Sequence, residues 1–493
     1  MMKNIITRVL PWIAFGLFGI YLVGNNFSAK LSMIDDHEVA MFLGSDGKIN
    51  ISEIPSIIMS TEVGKWGVDN RYRPAYYSLR VIETALWRND ARLWYLFRYL
   101  ILVVSMVLGW QILRRYFPQL ISYLFIFYVM TVPFWPDILT RLGPSEIYAL
   151  PGLLLFIYGL VTGKFWMISI GYITCVGGKE NFLILFPFLL TWAIYQRKKL
   201  TKSRVIILAL MSGFTMFILS GILIATGKNG VDFYLNDISY SKRLLVTLQS
   251  IPMIIDSRHL LIPLLLFGTL SIFLDKKYFL LGMAILLSAL SQYVFYNNKL
   301  PTNSRYDFPA LLLFPVFDLL VVKMMIEKAK EFKWGKYFNT TCFIGLSLFM
   351  VMFVWRRGYI LIHQSATRNM TDSIEFDNNL KVAERMAKEY PETVIVFVST
   401  HFVDFEPIVS VSRYLSAMKV KNTMMIHYTR ETMLDNTLGL ELEERMSASM
   451  NGEDADDILF GRFVPISELT QPCYSLTFHG AVPLPQCPAI AKF

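Results

Sequence analysis

Asp35, Asp36 and Glu38, with His37 among them, put three carboxylates and an imidazole into one short stretch, a few positions past an apolar run that ends near Phe27. Adjacent carboxylates repel, so at least one is expected to hold its proton unusually tightly or to lean on a cation or a metal. That is the setting a general base needs. A solvated acidic turn is the bland alternative for an isolated Asp-Asp pair. The rest of the chain argues against it.

Further charged residues stand in positions where charge is costly. Arg71, Arg73 and Arg80 follow in the same polar stretch, and Asp137, Arg141 and Glu146 lie between two apolar runs. Lys179 and Glu180 occupy the tight turn Gly177-Gly178-Lys179-Glu180-Asn181, and Lys299 and Arg305 precede another apolar run. A charge at the bilayer centre costs about 2.5–3.5 kcal/mol even on a lenient scale, so such residues line polar cavities. Carboxylates facing cations suit a substrate that carries an anionic phosphate and a hydroxyl to be deprotonated. Arginine clamps phosphate through paired charge-assisted bonds, and a carboxylate takes the proton.

The elements that must position these groups are apolar helices. Of 493 residues, 54% are apolar, 15% aromatic and only 17% charged, a balance that indicates a polytopic membrane protein rather than a soluble one. The formal charge of +9 is spread among apolar segments and sets topology, which excludes a nucleic-acid partner. After a first run from Val9 to about Phe27, runs near 93–113, 119–135, 146–162, 164–178, 181–196, 204–226, 259–274, 278–295, 308–326 and 338–355 give about eleven spans across a core of roughly 30 Å. We read the first run as a retained span, not a cleaved signal peptide, because cleavage would untether the acidic stretch. With the N-terminus inside, the segments Met1–Arg8, Arg114-Arg115, Gly163-Lys164, Gln196–Arg204, Asp275–Lys277 and Glu327–Lys336 are all cytoplasmic and net basic, as the positive-inside rule requires. The site charges and the tail then share the periplasmic face of a bacterial inner membrane.

Residues 1–356 thus form a membrane module, with 28–92 as its first outer loop, and 357–493 a small periplasmic α/β domain. In the loop, Ile51–Val63 and Pro74–Trp87 have the spacing of helices lying on the membrane surface. In the tail, Ser373–Glu389, Glu406–Met418 and Glu431–Met450 read as helices, with strands at Val394–Ser399, Thr423–His427 and Tyr474–Phe478 and an acidic linker over Asn451–Asp457. The tail has no phosphate loop or metal-ligand spacing and is not expected to be catalytic. Cys473 and Cys487 can pair there in an oxidising compartment, whereas Cys175 and Cys342 read as packing residues in apolar segments.

These residues resemble the GT-C superfamily of membrane glycosyltransferases, which use polyprenyl-phosphate-linked sugars, and most of all the bacterial serotype-converting O-antigen glucosyltransferases that modify lipopolysaccharide. The resemblance covers roughly residues 1–356. It rests on Asp35-Asp36-His37-Glu38, the surface helices after it, Arg141-Leu142-Gly143-Pro144-Ser145-Glu146, Gly178-Lys179-Glu180 and Ser304-Arg305-Tyr306-Asp307-Phe308-Pro309. It implies an inverting transfer from undecaprenyl phosphate to a polysaccharide or lipid-linked acceptor. Asp36 or Asp35 would be the base, with Asp36 favoured because Asp36-His37-Glu38 matches the family's Asp-x-acid form. Lys179, Arg305, Arg71, Arg73 and Arg141 would serve the donor phosphate, with Glu38, Glu146 and Glu180 as supporting acids. Some relatives use a divalent cation such as Mg or Mn, for which Asp35, Glu146 and Glu180 offer hard oxygen ligands.

Two other readings compete. A transporter or flippase of lipid-linked oligosaccharide would show paired repeats and charges near mid-membrane, and neither is seen. A polymerase would place its long outer loop in mid-chain, whereas here it follows the first span.

Overall fold

The computed structural model describes residues 2–43, 47–68, 71–229, 240–257, 260–274, 276–295, 305–329, 331, 341, 345, 358–399, 405–428, 471–478 and 481–493. Helix α1 (Met2–Val23) runs into a 3-10 turn (Gly24–Ser28), and α2 (His37–Leu43), α3 (Ile54–Ser60) and α4 (Pro74–Trp87) make up the first loop. Then come α5 (Ala91–Leu113), α6 (Gln119–Val129), α7 (Trp135–Leu139), α8 (Glu146–Thr162), α9 (Phe165–Gly178), α10 (Leu185–Tyr195) and α11 (Lys202–Asn229). Helices α12 (Tyr240–Ser257), α13 (Leu261–Phe273), α14 (Lys276–Phe295) and α15 (Ala310–Ala329) complete the described membrane part.

Among the described residues, three stretches are long and apolar enough to cross a bilayer on their own: Val9–Ser28, Ala91–Leu113 and Lys202–Ala225. Most of the other apolar helices are shorter, such as Glu146–Thr162 and Phe165–Gly178. The expected run 308–326 is found as α15, and that at 338–355 lies outside the described residues except for 341 and 345. Large apolar side chains stand exposed along α1 (Leu10, Ile13, Leu17) and α11 (Ile206, Leu210, Leu223), a surface that water would penalise and lipid would not. Helix α12, which sequence reading passed over, is inverted in the same sense. It buries Thr247 and Ser250 and exposes Leu244, Leu245 and Leu248.

Helices α8 and α9 form the tightest pair. A Cβ on Gly171 would sit 2.4 Å from the Phe156 amide nitrogen, and one on Gly159 2.6 Å from that of Ile168. Small residues at such a seam let two backbones touch, which is how helices gain packing energy without a hydrophobic drive.

The expected helix over Ser373–Glu389 begins at Gly358. As α16 (Gly358–Glu389) it belongs to both parts of the chain. Its first turns lie in the membrane core through Tyr359 and Ile362, and its later ones pack under the tail sheet through Phe376, Leu380 and Ala383. Polar contacts tie it to the end of α1: Asn25 donates to Thr367 at 2.7 Å and Asn369 to Asn26 at 3.1 Å.

The tail sheet has β1 (Val394–Ser399), β2 (Met424–Tyr428), β3 (Cys473–Thr477) and β4 (Ala489–Lys492), all parallel, in the order β2-β1-β3-β4. Strand β4 was not expected. Every residue of β1 is buried, as a central parallel strand covered on both faces should be. Ile395 and Phe397 meet α16 and α17 (Phe405–Ala417), while Val394, Val396 and Val398 face Leu484 and the Cys473–Cys487 disulfide. The expected helix over 431–450 and the linker over 451–457 lie outside the described residues.

Candidate active site

Helix α4 lies where sequence spacing predicts. Ile82 and Leu86 point outward, and Tyr76, Tyr77, Arg80, Val81 and Thr84 are buried against the protein. The exposed stripe is apolar, and the buried one carries the polar groups of the site.

Arg80 is the centre of that stripe and is wholly buried. It donates through Nη1 to the Leu142 carbonyl at 3.0 Å, and through Nη2 to the Asp35 carbonyl at 3.3 Å and the Asp36 carboxylate at 3.2 Å. Its guanidinium lies 4.8 Å from the centre of the Trp94 ring. One side chain thus joins the segment around Asp35 and Asp36 to that around Leu142. Tyr76 adds a bond from its hydroxyl to the Gly143 carbonyl at 3.0 Å.

The two aspartates part company here. Asp36 is 0% exposed, and its carboxylate accepts from the Ser32 amide at 2.8 Å, from the Ser32 hydroxyl at 2.9 Å and from Arg80. Burial pushes its pKa up, against the pull of Arg80 and Ser32. Asp36, the residue the sequence reading favoured as base, is thus enclosed by Ser32 and Arg80. Asp35 takes a left-handed backbone (φ 68°), a conformation that Asp tolerates better than most residues. Its side chain is 31% exposed and lies 3.5 Å from Arg141. Burial would raise its pKa, but Arg141 and Arg305 prevail and hold it below the usual carboxylate range.

From Asp35 the charges alternate outward. Arg141 pairs with Asp137 at 3.5 Å, and Asp137 accepts from the Arg305 backbone amide at 3.4 Å, with the Arg305 Nε at 3.9 Å. Arg305 comes from a short 3-10 turn (Arg305–Asp307) just before α15, and its guanidinium lies 5.3 Å from the Tyr306 ring centre. Lys179, buried at the end of α9, pairs with the buried Glu146 at the start of α8 at 3.3 Å and reaches to 5.8 Å from the same Tyr306 ring. Asp35, Arg141, Arg305, Lys179 and Glu146, from four separate stretches of sequence, are thereby brought together.

Other expected residues have other duties. Arg73 is held by an ion pair with Glu62 and lies over the rings of Tyr76 and Tyr77. Together with Arg71 and Lys179 it offsets the charge of Glu180. Glu38 accepts from Tyr77 at 3.4 Å and lies 3.9 Å from Arg80, and burial, outweighing Arg80, pushes its pKa to about 7. His37 turns away from the acids toward the tail. Its Nε2 accepts from Arg413 at 3.0 Å, so the ring proton sits on Nδ1 and is donated to Ser410 at 2.9 Å. Burial, reinforced by Arg413, drops its pKa to about 3 and keeps it neutral. Among the described residues no three acids, histidines or cysteines converge as a metal site would require. Asp35 and Glu146 face cations instead. The candidate ligands Asp35 and Glu146 are thus held in ion pairs with Arg141 and Lys179, and Glu180 has Lys179, Arg73 and Arg71 around it.

Sequence reading missed the buried triad of Glu83, Arg98 and Tyr148. Arg98 meets both Glu83 oxygens at 3.3 and 3.0 Å, and Tyr148 bonds to both partners, locking α4, α5 and α8 together. An arginine inside the apolar run at 93–113 was the available signal, because such a charge must find a partner.

No known family model matches the chain, and no curated protein matches it. Among solved structures it is similar to "Crystal Structure of ArnT from Cupriavidus metallidurans bound to Undecaprenyl phosphate", with 10% identity, 89% of each chain covered and a TM-score of 0.44. A likeness of that size carries no argument about activity, which rests below on the site itself.

Proposed function

We propose that the chain is an integral-membrane glycosyltransferase of the GT-C kind. It takes a sugar from a polyprenyl phosphate, undecaprenyl phosphate in a bacterial membrane, and transfers it to a hydroxyl of a polysaccharide or lipid-linked acceptor on the periplasmic side. The observation that carries this reading is the environment of Asp35: an ionised, partly exposed carboxylate facing Arg141 and Arg305, with Lys179 nearby. We assign Asp35 as the base in place of Asp36.

In the reaction the acceptor oxygen attacks the anomeric carbon and its proton passes to Asp35. The carbon–oxygen bond to phosphate breaks, its electron pair stays on the phosphate oxygen, and the configuration inverts. A low pKa does not disqualify Asp35, because the hydroxyl becomes acidic only as its oxygen bonds to an oxocarbenium-like carbon. Arg305 and Lys179 stabilise the charge that develops on the departing phosphate. Arg141 holds Asp35 in place, and no step is routed through a metal. The sugar we propose is a hexose, with glucose the member that the O-antigen resemblance favours.

The test is transfer of labelled sugar from undecaprenyl phosphate in proteoliposomes, together with mass analysis of surface glycan with and without the protein. Asp35→Asn is expected to lower transfer by about 10²-fold or more, the usual scale for loss of a base. Unimpaired transfer by this variant would refute the assignment.

A further inference from the structure

A cavity of about 590 Å³ lies on the opposite side of the acidic strand, between the first loop, the start of α5 and the tail helices α16 and α17. Phe27, Leu31, Leu43, Phe376, Leu380 and Met418 make its apolar part. Its lining includes Ser28 and Ala91, where the apolar stretches Val9–Ser28 and Ala91–Leu113 respectively end and begin, which would set it at headgroup depth in a bilayer crossed by those helices.

The charges of this cavity do not cancel. Asp90 is engaged in capping α5, where it accepts from the Arg92 backbone amide at 3.1 Å, and Asp377 pairs with Lys381 at 2.6 Å. Lys30 and Arg92, both exposed, also line the cavity and have no ion pair among the described residues, so that with Asp90 the lining keeps a net charge of +1. We propose that this cavity binds one anionic phospholipid of the outer leaflet, its phosphate held by Lys30 and Arg92 and its glycerol and upper chains against the apolar wall. The volume falls in the range of pockets that enclose a small ligand. An amphiphile is the class that needs cations and an apolar wall together at this depth.

The site also bears on the catalytic loop. Tyr414 lines the cavity and donates its hydroxyl to the Ser32 carbonyl at 2.9 Å, and Ser32 in turn holds Asp36 through its amide and hydroxyl. A seated lipid would brace the strand that presents Asp35.

Binding is read directly, apart from transfer. The full chain is reconstituted in phosphatidylcholine nanodiscs doped with phosphatidylglycerol, and retained lipids are counted by native mass spectrometry. Wild type is expected to keep one phosphatidylglycerol in preference to phosphatidylcholine, and Lys30→Glu with Arg92→Glu to weaken that retention about tenfold or more. The charge-conserving pair Lys30→Arg and Arg92→Lys should retain it, and Ala417→Trp should block it by filling the space. Equal retention of the two lipids by wild type, or unchanged retention in the charge-reversed protein, would overturn the proposal.

Discussion

Asp35 and Asp36 share a peptide bond and almost nothing else. One faces cations across an open space, and the other is sealed under Arg80 and Ser32. Their substitutions should therefore fail in different ways. Asp36→Asn strips the charge from a buried partner of Arg80, and breaking such a pair costs about 3–5 kcal/mol. It should lower the thermal unfolding midpoint in detergent clearly, while Asp35→Asn leaves the midpoint near wild type and removes activity. If the two variants lose stability equally, the division of labour is wrong. Glu38 carries a second expectation. Its native pKa, raised to about 7 from 4.5, means that the folded state holds the proton more tightly than the unfolded chain does. The stability this provides is complete below about pH 4.5 and is lost as pH rises through about 7. Glu38→Gln should flatten that decline, worth on the order of 3 kcal/mol across the window. Melting curves between pH 4.5 and pH 8 would check it, the range being set by the two pKa values.

Among the elements, helix α4 and the second outer loop matter most. Their junction depends on a residue with no side chain. A Cβ on Gly143 would fall 2.2 Å from the Asp35 carboxylate oxygen and 2.3 Å from its Cβ, so the carboxylate occupies the space that glycine leaves. Gly143→Ala should push Asp35 off its position and cut the transfer rate, because a displacement of about 1 Å costs on the order of 10²-fold in a positioned reaction. Because the clash reaches the Asp35 Cβ as well as its carboxylate, the loop itself must shift, and the unfolding midpoint should fall as well. A steady-state assay beside a melting curve separates the two effects, and wild-type kcat would contradict the placement. The same junction shows where sequence pattern misleads. Leu79, Ile82 and Leu86 mark α4 as amphipathic correctly, but Leu79 packs inward while Ile82 and Leu86 stand exposed, and no spacing told that the buried face would carry Arg80 and Glu83.

At the scale of the molecule, the tail is fastened to the acidic loop. Ser410 and Arg413 of α17 hold both nitrogens of His37, and Leu31, Met33 and Ala40 pack into the core of the tail. The histidine of the motif is thus a docking residue. Ser410→Ala combined with Arg413→Ala should raise hydrogen exchange over residues 32–43, with protection of α8 and α9 unchanged. Unaltered exchange in α2 would show that the tail does not order the loop.

By itself, the sequence determined the apolar helices, the β1 strand and the charged residues that the site draws on. Each is a local matter, set by the cost of placing charge or bare backbone in hydrocarbon and by the period of the chain. Only the tertiary structure decided which aspartate stays open, which face of α4 is buried and that Arg80 and Arg98 act as hubs. Those outcomes depend on partners such as Leu142, Glu83 and Ser410, which lie 15 to 373 residues from the groups they engage. No spacing along the chain encodes a contact that exists only after distant segments have met.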